Sequence, residues 1–177
     1  SFEFSCNKEK IITNCGSIKK QYSKKPEYLR YSAAHSTIIL NNTNISELSN
    51  KKSYLRIPKN INYDHLENDN EIVFNCMHDG YKENFKKIVK RKIIVKKNIN
   101  SIFGEDSIIP IKLYSKKILY NIRFHLMPHC QCNITRGKKK VIIKTKSLNT
   151  WIFESSSEIS IEESIFIEKG SKIQQNK

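Results

Sequence analysis

The stretch 117–126 decides the fold class. It reads K-I-L-Y-N-I-R-F-H-L, and its side chains fall alternately on two faces. A period of two is typical of a half-buried β-strand, because successive side chains of a strand point to opposite sides of the sheet. We therefore predict one strand over the whole stretch, with an inward apolar row. That row is Ile118, Tyr120, Ile122, Phe124 and Leu126.

Similar β-branched or alternating runs occur along the rest of the chain. They predict further strands at 1–6, 11–15, 37–40, 71–77, 86–95, 138–146 and 158–167. The first two form a predicted hairpin that turns around Asn7. In the last run, Ile159, Ile161, Ile165 and Ile167 are expected to point inward and Phe166 outward, with a bulge at Glu163.

Turn signals separate these strands. Gly80, Gly104, Gly137 and Gly170 are interpreted as turn residues. The polar stretch 41–70 is predicted to be a long surface loop with a short strand near Tyr54. No window shows a long helical period with caps. Many short strands at intervals of about 8–12 residues favour an antiparallel β-sandwich of two stacked sheets. We predict a single all-β domain over 1–177.

Composition excludes several classes of protein. The chain has 177 residues, a net charge of +15 and 38% hydrophobic residues, enough apolar material to form a core. No apolar run approaches the roughly 20 residues of a membrane-spanning helix, so membrane insertion is not expected. The chain starts at Ser1 without a signal-peptide pattern and is expected to be a piece of a longer protein.

The basic charge has two explanations that the sequence leaves open. It could serve binding to a polyanion, for which Lys supplies point charges. Lys, Ile and Asn are also abundant together, as an AT-rich coding sequence would produce without selection for a partner. The basic runs lack the interleaved aromatic residues that stack on nucleic-acid bases, so nucleic-acid binding is not favoured.

Two histidines have neighbours suited to a functional site. His35 follows small residues in R-Y-S-A-A-H-S-T, beginning at Arg30, and precedes a predicted strand. His78 opens H-D-G-Y, which ends at Tyr81, directly after another predicted strand. Imidazole and phenol groups can both transfer protons when their pKa values are tuned. Alternatively, His35 caps a strand and His78 belongs to an ordinary turn.

A metal site is less well supported by the pattern. His125, His129, Cys130 and Cys132 lie close in sequence, but neighbours on a strand alternate faces and do not converge easily on one ion. The five cysteines cannot all pair, and unpaired strand cysteines usually act as small buried hydrophobic residues. An odd count argues mildly for a reducing compartment or for independence from disulfides, and leaves the compartment open.

Taken in order, six pieces resemble one protein family. They are S-F-E-F at Ser1, I-I-T-N-C-G at Ile11, L-R-Y-S-A-A-H-S-T at Leu29, H-D-G-Y at His78, F-H-L-M-P at Phe124 and W-I-F-E at Trp151. Together they resemble the C-terminal β-domain of the heparinase II/III-like polysaccharide lyases. The resemblance implies an upstream α/α-toroid domain, which this chain lacks, and cleavage of uronic-acid-containing polysaccharide by β-elimination.

The resemblance also implies roles for individual residues. His35 would face the substrate, with His78 as a second, supporting histidine. Arg30 could bind a substrate carboxylate or be a strand-edge residue, and Tyr81 could stack on a sugar ring or fill its turn. Ser36 stands where relatives usually have Asn, which puts the local hydrogen-bond pattern in doubt.

The resemblance also leads to expectations about metal binding and cellular location, and it leaves alternative functions to be considered. Some relatives hold a structural zinc ion with His and Asp ligands, and His125 is the best candidate here, although the metal stays unassigned. The resemblance implies the cell envelope or periplasm. The main rival function is a non-catalytic basic module that binds anionic glycan, and the second is nucleic-acid binding.

Overall fold

The computed structural model describes residues 1–17, 27–49, 54–113, 116–168 and 173–177. Strands dominate these residues, beside one four-residue helix, α1 (Lys82–Phe85), and two short 3-10 helices, Glu27–Arg30 and Ser32–Ala34. The prediction of an all-β chain is confirmed. In the described part, no helix is long and apolar enough to cross a membrane. The strands of that part are β1 (Phe4–Cys6), β2 (Glu9–Thr13), β3 (Ile38–Leu40), β4 (Glu47–Leu48), β5 (Tyr54–Arg56), β6 (Ile61–Glu67), β7 (Glu71–His78), β8 (Lys87–Lys96), β9 (Ser101–Pro110), β10 (Tyr120–Ile122), β11 (His125–Leu126), β12 (Gln131–Ile134), β13 (Lys140–Lys144), β14 (Thr150–Glu154), β15 (Ser164–Ile167) and β16 (Ile173–Asn176).

The chain divides into two compact units. The terminal unit consists of Ser1–Thr37 and Ile122–Lys177, and the central unit is Ile38–Asn121. Each unit has a cluster of buried apolar side chains of its own. All strand pairs whose register is defined are antiparallel.

The terminal unit begins with the predicted hairpin. Strands β1 and β2 pair with Cys6 opposite Glu9, and β11 adds to the other side of β2. Asn7 and Lys8 both have positive φ, 50° and 66°. Two consecutive residues of this kind form the tight turn whose twist matches a hairpin. The predicted hairpin is therefore confirmed, with its turn at Asn7 and Lys8.

A second sheet of the terminal unit supplies much of its core. The strands β12, β13 and β14 lie side by side, and β13 buries Val141 and Ile143 while exposing the residues between them. A strand was predicted over 138–146, and β13 occupies the middle of that stretch. Burying an aliphatic side chain of this size stabilises the fold by about 1.5–3 kcal/mol. The buried members of this core are Ile11, Leu126, Cys130, Val141 and Ile143.

Gly16 is required where two segments of the terminal unit meet. It forms a parallel bridge with Ile167, and its φ is +85°. A Cβ atom at this position would lie 1.9 Å from the carbonyl oxygen of Ile167, far inside contact distance. Glycine alone combines this conformation with so close an approach.

The predicted strand at 158–167 is only partly correct. Strand pairing begins at Ser164, where β15 pairs with β16, and 158–163 lies outside any strand. Ile159 and Ile161 nevertheless pack against the core, as predicted. Phe166 was expected to point outward, but it is only 8% exposed. The last two residues of β15 are both buried, which a strand exposed on one face would not show.

The stretch 117–126 is two short strands rather than one. β10 pairs with β3, whereas β11 pairs with β2, so the chain changes sheets between them. Because the change of partner re-aims the side chains, the predicted inward row is interrupted. Tyr120 and Ile122 are exposed and Leu126 is buried. His125, expected on the polar face, is 5% exposed.

The central unit contains a four-stranded meander, β6-β7-β8-β9. The predicted strands at 71–77 and 86–95 are its two middle strands. The loop predicted for 41–70 is only partly correct. The short strand expected near Tyr54 is present as β5, but the stretch also includes β4 and the seven-residue β6. Every residue of β6 is exposed, so it carries no buried apolar row that could reveal it. Gly104 was interpreted as a turn residue, but it lies within β9.

A buried ion pair joins the last two strands of the meander. Arg91 on β8 lies opposite Asp106 on β9. Its Nε atom lies 2.7 Å from Oδ1, and a second guanidinium nitrogen lies 2.7 Å from Oδ2. The side chains are only 12% and 8% exposed. Two parallel bonds of this kind fix the register of the strands as well as the charges.

Candidate functional site

The A-A-H-S-T segment places His35 just after a tight helical turn. Ser32–Ala34 forms a 3-10 helix, and the His35 N–H donates to the carbonyl of Ser32 at 3.1 Å. Ser32 and Ala34 are buried, and their small side chains allow the turn to pack closely. The backbone of His35 is extended, and β3 begins three residues later. The imidazole is therefore held at a strand start, as the sequence predicted.

The His35 side chain is half-buried and favours its neutral form. Burial lowers the pKa of His35. A hydrogen bond with the Leu29 backbone and the nearby Glu3 carboxylate partly offset this shift. A neutral imidazole has one donor and one acceptor nitrogen, so it can give or take a proton.

His125 braces the segment that carries His35. Its Nε2 lies 2.9 Å from the carbonyl oxygen of Ala33, and its Nδ1 lies 3.1 Å from the hydroxyl of Ser164. A carbonyl only accepts, so Nε2 carries the hydrogen, and Nδ1 accepts from the Ser164 hydroxyl when the ring is neutral. Burial lowers the pKa of His125 despite the Ala33 bond. The ring is therefore a neutral, buried support.

Ser36 completes this brace. Its hydroxyl donates to the carbonyl of Thr13 at 2.6 Å and accepts the backbone N–H of His125 at 2.9 Å. Its own N–H donates to the side-chain oxygen of Asn14 at 2.9 Å. Ser36 is fully buried, so these bonds replace water. Ser36 therefore fits the hydrogen-bond pattern of this segment.

The surroundings of His125 do not fit a zinc ion. Both ring nitrogens already have hydrogen-bond partners, and the nearest thiol, Cys15, lies 3.7 Å from Nδ1. Burial raises the pKa of Cys15, which disfavours the thiolate that zinc binds. Structural zinc needs about four His, Cys or carboxylate ligands. In the part of the chain that is described, no three such residues form a metal-binding group.

The other residues of the candidate metal cluster are His129, Cys130 and Cys132, and they form no metal-binding group within the described residues. His129 approaches Glu9 at 3.4 Å. Burial, with the nearby Glu9 carboxylate, raises the pKa of Cys130 to about 11. Cys130 belongs to the apolar core, as expected for a small buried hydrophobic residue. The five cysteines are free thiols, and Cys76 is exposed.

Arg30 lies at the end of the 3-10 helix Glu27–Arg30, shortly before His35. It is exposed, so its guanidinium can meet a ligand from solvent. The short helices Glu27–Arg30 and Ser32–Ala34 contact one another. Arg30 and His35 are thus held by adjoining turns of the same segment.

His78 ends β7 in the central unit. Its Nδ1 accepts the N–H of Gly80 at 3.2 Å, which leaves Nε2 as the hydrogen-bearing nitrogen of the neutral ring. Burial, with the nearby Arg91, outweighs the opposing Asp79 charge and lowers the pKa of His78 to about 4. His78 is therefore neutral near pH 7 and can donate one hydrogen bond.

The H-D-G-Y turn is locked by Asp79. Its carboxylate accepts the N–H groups of Lys59 and Asn60 at 2.8 and 3.0 Å and the Asn60 side-chain amide at 2.7 Å. Burial opposes the charge, but these bonds outweigh it and lower the pKa of Asp79. A Cβ at Gly80 would lie 2.7 Å from the Ile45 side chain, so glycine is needed for this close packing.

Tyr81 lies in the core and offers no ring face to a sugar. It is 0% exposed, and its hydroxyl donates to the carbonyls of Ile38 and Thr43 at 3.2 and 3.1 Å. Burial raises the pKa of Tyr81 to about 12. Its ring packs near those of His78 and Phe85, with centroids 5.9 and 6.0 Å away. This placement corresponds to the alternative in which Tyr81 fills its turn.

Sequence reasoning missed several residues that hold these segments. Ser164, Asn60 and Arg56 carry no motif, and they reach their partners from distant parts of the chain. Arg56 donates to the backbone carbonyls of Asn44 and Ile45 at 2.7 and 2.9 Å, and to that of Gly80. The available sequence signal for Arg56 was the scarcity of Arg in this Lys-rich chain. A guanidinium can donate to several acceptors at once, so each Arg is a candidate for such a role.

Comparison with known proteins and protein families identifies the family of this chain. Searches of curated proteins and of solved structures returned no match. A family model described as "Heparinase II/III-like, C-terminal" matches residues 1–177. It covers both the His35 segment with its His125 brace and the H-D-G-Y turn. The chain therefore belongs to the heparinase II/III-like family, of which it carries the C-terminal region.

Proposed function

We propose that this chain is the C-terminal β-domain of a polysaccharide lyase that cleaves a uronic-acid-containing polysaccharide by β-elimination. The observation that carries the proposal is the family match over 1–177, which includes the braced His35 segment. In the proposed whole protein, an upstream α/α-toroid domain works with this chain, which is proposed to form a β-sandwich-like domain. The proposed location is the cell envelope or periplasm.

The reaction sets the chemical demands on the site. The proton at C5 of a uronate is weakly acidic, so its carboxylate must be neutralised and the developing enolate stabilised. A base removes that proton, and an acid protonates the leaving glycosidic oxygen. Electrons from the C5–H bond form the C4–C5 double bond as the C4–O bond breaks.

His35 is the residue of this chain that we assign to that chemistry. Its neutral imidazole can donate a hydrogen bond to the uronate carboxylate or take part in proton transfer. The exposed Arg30, held by the adjoining turn, is proposed to pair with a substrate carboxylate, since a guanidinium matches a carboxylate in a two-bond geometry. The toroid is proposed to supply a Tyr as proton shuttle.

His78 is proposed as a supporting donor. With a pKa of about 4 its ring stays neutral at physiological pH, and its Nε2 hydrogen is available for a polar partner. We assign no sugar contact to Tyr81, because its ring is enclosed. We assign no metal-binding role to His125, because the groups around it do not fit zinc.

The direct test is an elimination assay. The protein is incubated with carboxylate polysaccharides of different types, including alginate, glucuronan and glycosaminoglycans, and the ultraviolet absorbance of the new C4–C5 double bond is followed. Unsaturated oligosaccharides from at least one polymer support a lyase. The 177-residue chain alone is expected to be inactive, so the experiment uses the longest natural protein that contains it.

The alternative is a non-catalytic module that binds anionic glycan. The net charge of +15 favours it independently of His35. It predicts salt-sensitive binding with no unsaturated product from any polymer, even in the longest natural protein. Nucleic-acid binding is a weaker alternative, and it predicts salt-sensitive binding to DNA or RNA without preference for uronates.

A further inference from the structure

A basic cleft lies within the central unit, and its lining includes Asp79 and Gly80 of the H-D-G-Y turn. Its volume is about 250 Å³, and residues from three segments of the chain line it. Cationic side chains outnumber carboxylates in its lining by five to two. The lining charges are Arg56, Lys59, Lys82, Lys86 and Lys112 against Asp79 and Glu83.

Two of these charged residues form the rigid wall of the cleft. Arg56 is bonded to backbone carbonyls and lies 3.7 Å from Glu47, so its charge is already compensated. Asp79 accepts hydrogen bonds from Lys59 and Asn60. The wall is therefore held in place from within, before any ligand binds, which lowers the ordering cost of binding.

The remaining lysines give the cleft its excess positive charge. Lys59 pairs with Glu83 at 3.2 Å, and the Lys86 ammonium donates to the Glu83 backbone carbonyl at 3.1 Å. Lys82 and Lys112 are exposed beside them. Because Glu83 balances the charge of Lys59, the ammonium groups of the other three lysines give the cleft a net positive charge that attracts an anion.

Apolar surface lies beside these charges. Ile57 and Ile111 line the same cleft and are 54% and 37% exposed. A ligand with an anionic substituent on a carbon ring would satisfy both kinds of surface. A nucleic acid would find ammonium groups but no aromatic side chain to stack on, since the residues that line the cleft are all aliphatic or polar.

We propose that this cleft binds the anionic substituent of a glycan, a uronate carboxylate or a sulfate ester. The inference rests on the proposed function for its ligand class, and it assigns a binding site to residues outside the His35 segment. Lysine supplies a point charge that accepts either anion, so the cleft itself does not choose between them. The cleft is proposed to raise the affinity for the glycan and to position the protein on it.

The test measures binding rather than cleavage. Isothermal titration at low ionic strength compares a uronate oligosaccharide, a sulfated uronate oligosaccharide, a neutral oligosaccharide and single-stranded RNA. The cleft variant is Lys82→Gln with Lys112→Gln. Its matched control, Lys144→Gln with Lys146→Gln, removes the same charge from exposed positions of the terminal unit.

The inference predicts a specific pattern of affinities. The cleft variant should bind both acidic oligosaccharides about 4- to 25-fold more weakly, at about two- to five-fold for each exposed ion pair lost. The control pair should change affinity less than about two-fold. Glu83→Gln removes a carboxylate that competes for Lys59, so it should tighten binding about two- to five-fold. Thermal melting checks that each variant is folded.

Contrary outcomes are equally specific. Equal losses in the two lysine pairs would show a general charge effect and overturn the site. Weaker binding in a folded Glu83→Gln variant would overturn it too, as would a lysine-dependent preference for RNA. Lysine-dependent glycan binding without elimination in the longest natural protein would support the cleft while refuting the lyase. Elimination without lysine-dependent glycan binding would support the lyase while refuting the cleft.

Discussion

The Nε2 atom of His125 lies 2.9 Å from the carbonyl oxygen of Ala33, two residues before His35. This bond ties β11 to the segment that we assign to substrate. A second bond, from the His125 backbone to the Ser36 hydroxyl at 2.9 Å, holds the same segment on the other side of His35. His35 is thus flanked by two fixed points, which is how a fold holds a reacting group in one geometry.

Replacing His35 tests its proposed chemical role. His35→Ala in the longest natural protein should lower kcat/KM for elimination by about 100-fold or more, since a positioned acid or base contributes at least that much. Because the imidazole is only half-buried, the free energy of unfolding should change by less than about 1 kcal/mol. The product absorbance and a urea titration measure the two effects.

A second histidine provides the control for that experiment. His65 is exposed on β6, where its ring stacks on Phe74 with centroids 6.1 Å apart. His65→Ala should leave elimination unchanged. Near-normal product formation by a folded His35→Ala variant would remove His35 from the mechanism.

Replacing His125 tests the brace. His125→Phe leaves the Ala33 carbonyl without its donor and should cost about 2–4 kcal/mol of unfolding free energy. Activity should fall as well, because the His35 segment loses its support. Ser164→Ala keeps the Ala33 bond and should cost only about 1 kcal/mol, with activity retained.

The comparison of the two variants decides the outcome. If His125→Phe and Ser164→Ala destabilise the chain equally, the Ala33 bond has no special importance. Loss of stability or activity of the natural protein in the presence of a chelator, reversed by zinc and absent in His125→Phe, would contradict the absence of a fit for that ion. Urea titration and the elimination assay, run with and without a chelator, provide both measurements.

Protonation of His78 should destabilise the fold in acid. Its pKa is about 4 in the folded chain, below the ordinary value of 6.5, so folding favours the neutral ring. The stabilisation is fully present above pH 6.5 and is lost as the pH falls toward 4. Between pH 7 and pH 5 the expected loss is about 2 kcal/mol.

The His78→Gln variant isolates this contribution. Its unfolding free energy should fall about 2 kcal/mol less between pH 7 and pH 5 than that of the natural chain. His35 and His125 also have lowered pKa values and remain in both proteins, so their share cancels in the comparison. An identical pH profile for the two proteins would contradict burial of a neutral His78.

The Arg91–Asp106 pair should show strong coupling. Asp106→Leu removes the carboxylate that accepts two bonds from the Arg91 guanidinium and should cost about 3–5 kcal/mol. Arg91→Met in the same chain removes that charge and should recover most of the loss, because apolar side chains of similar size often replace buried pairs well. A double-mutant cycle from urea midpoints measures the coupling. Additive effects would show that the pair contributes nothing jointly.

Sequence patterns located the strands that bury one face. β13 contains the β-branched run Val141, Ile142 and Ile143, so a strand was visible in the chain, although only the structure shows that alternate residues are buried. β6 is exposed along its whole length and showed no such period. The break between β10 and β11 was also invisible, because it results from a change of sheet partner and not from a residue that stops strands.

The residues of the candidate site were likewise only partly predictable from the sequence. The A-A-H-S-T and H-D-G-Y motifs identified His35 and His78 because small residues and turn signals are local. The enclosure of Tyr81 depends on Ile38 and Thr43, about 40 residues away, so its proposed sugar contact could not be judged from its neighbours.

The sequence by itself determined the β class, the family and the two motif histidines, since these depend on side-chain period and on residues adjacent in the chain. Only the tertiary structure decided that His125 supports the His35 segment and that Arg56 and Asp79 form the wall of a basic cleft. The physical reason is that a buried polar group is stable only with a partner, and folding brings that partner from a distant part of the chain.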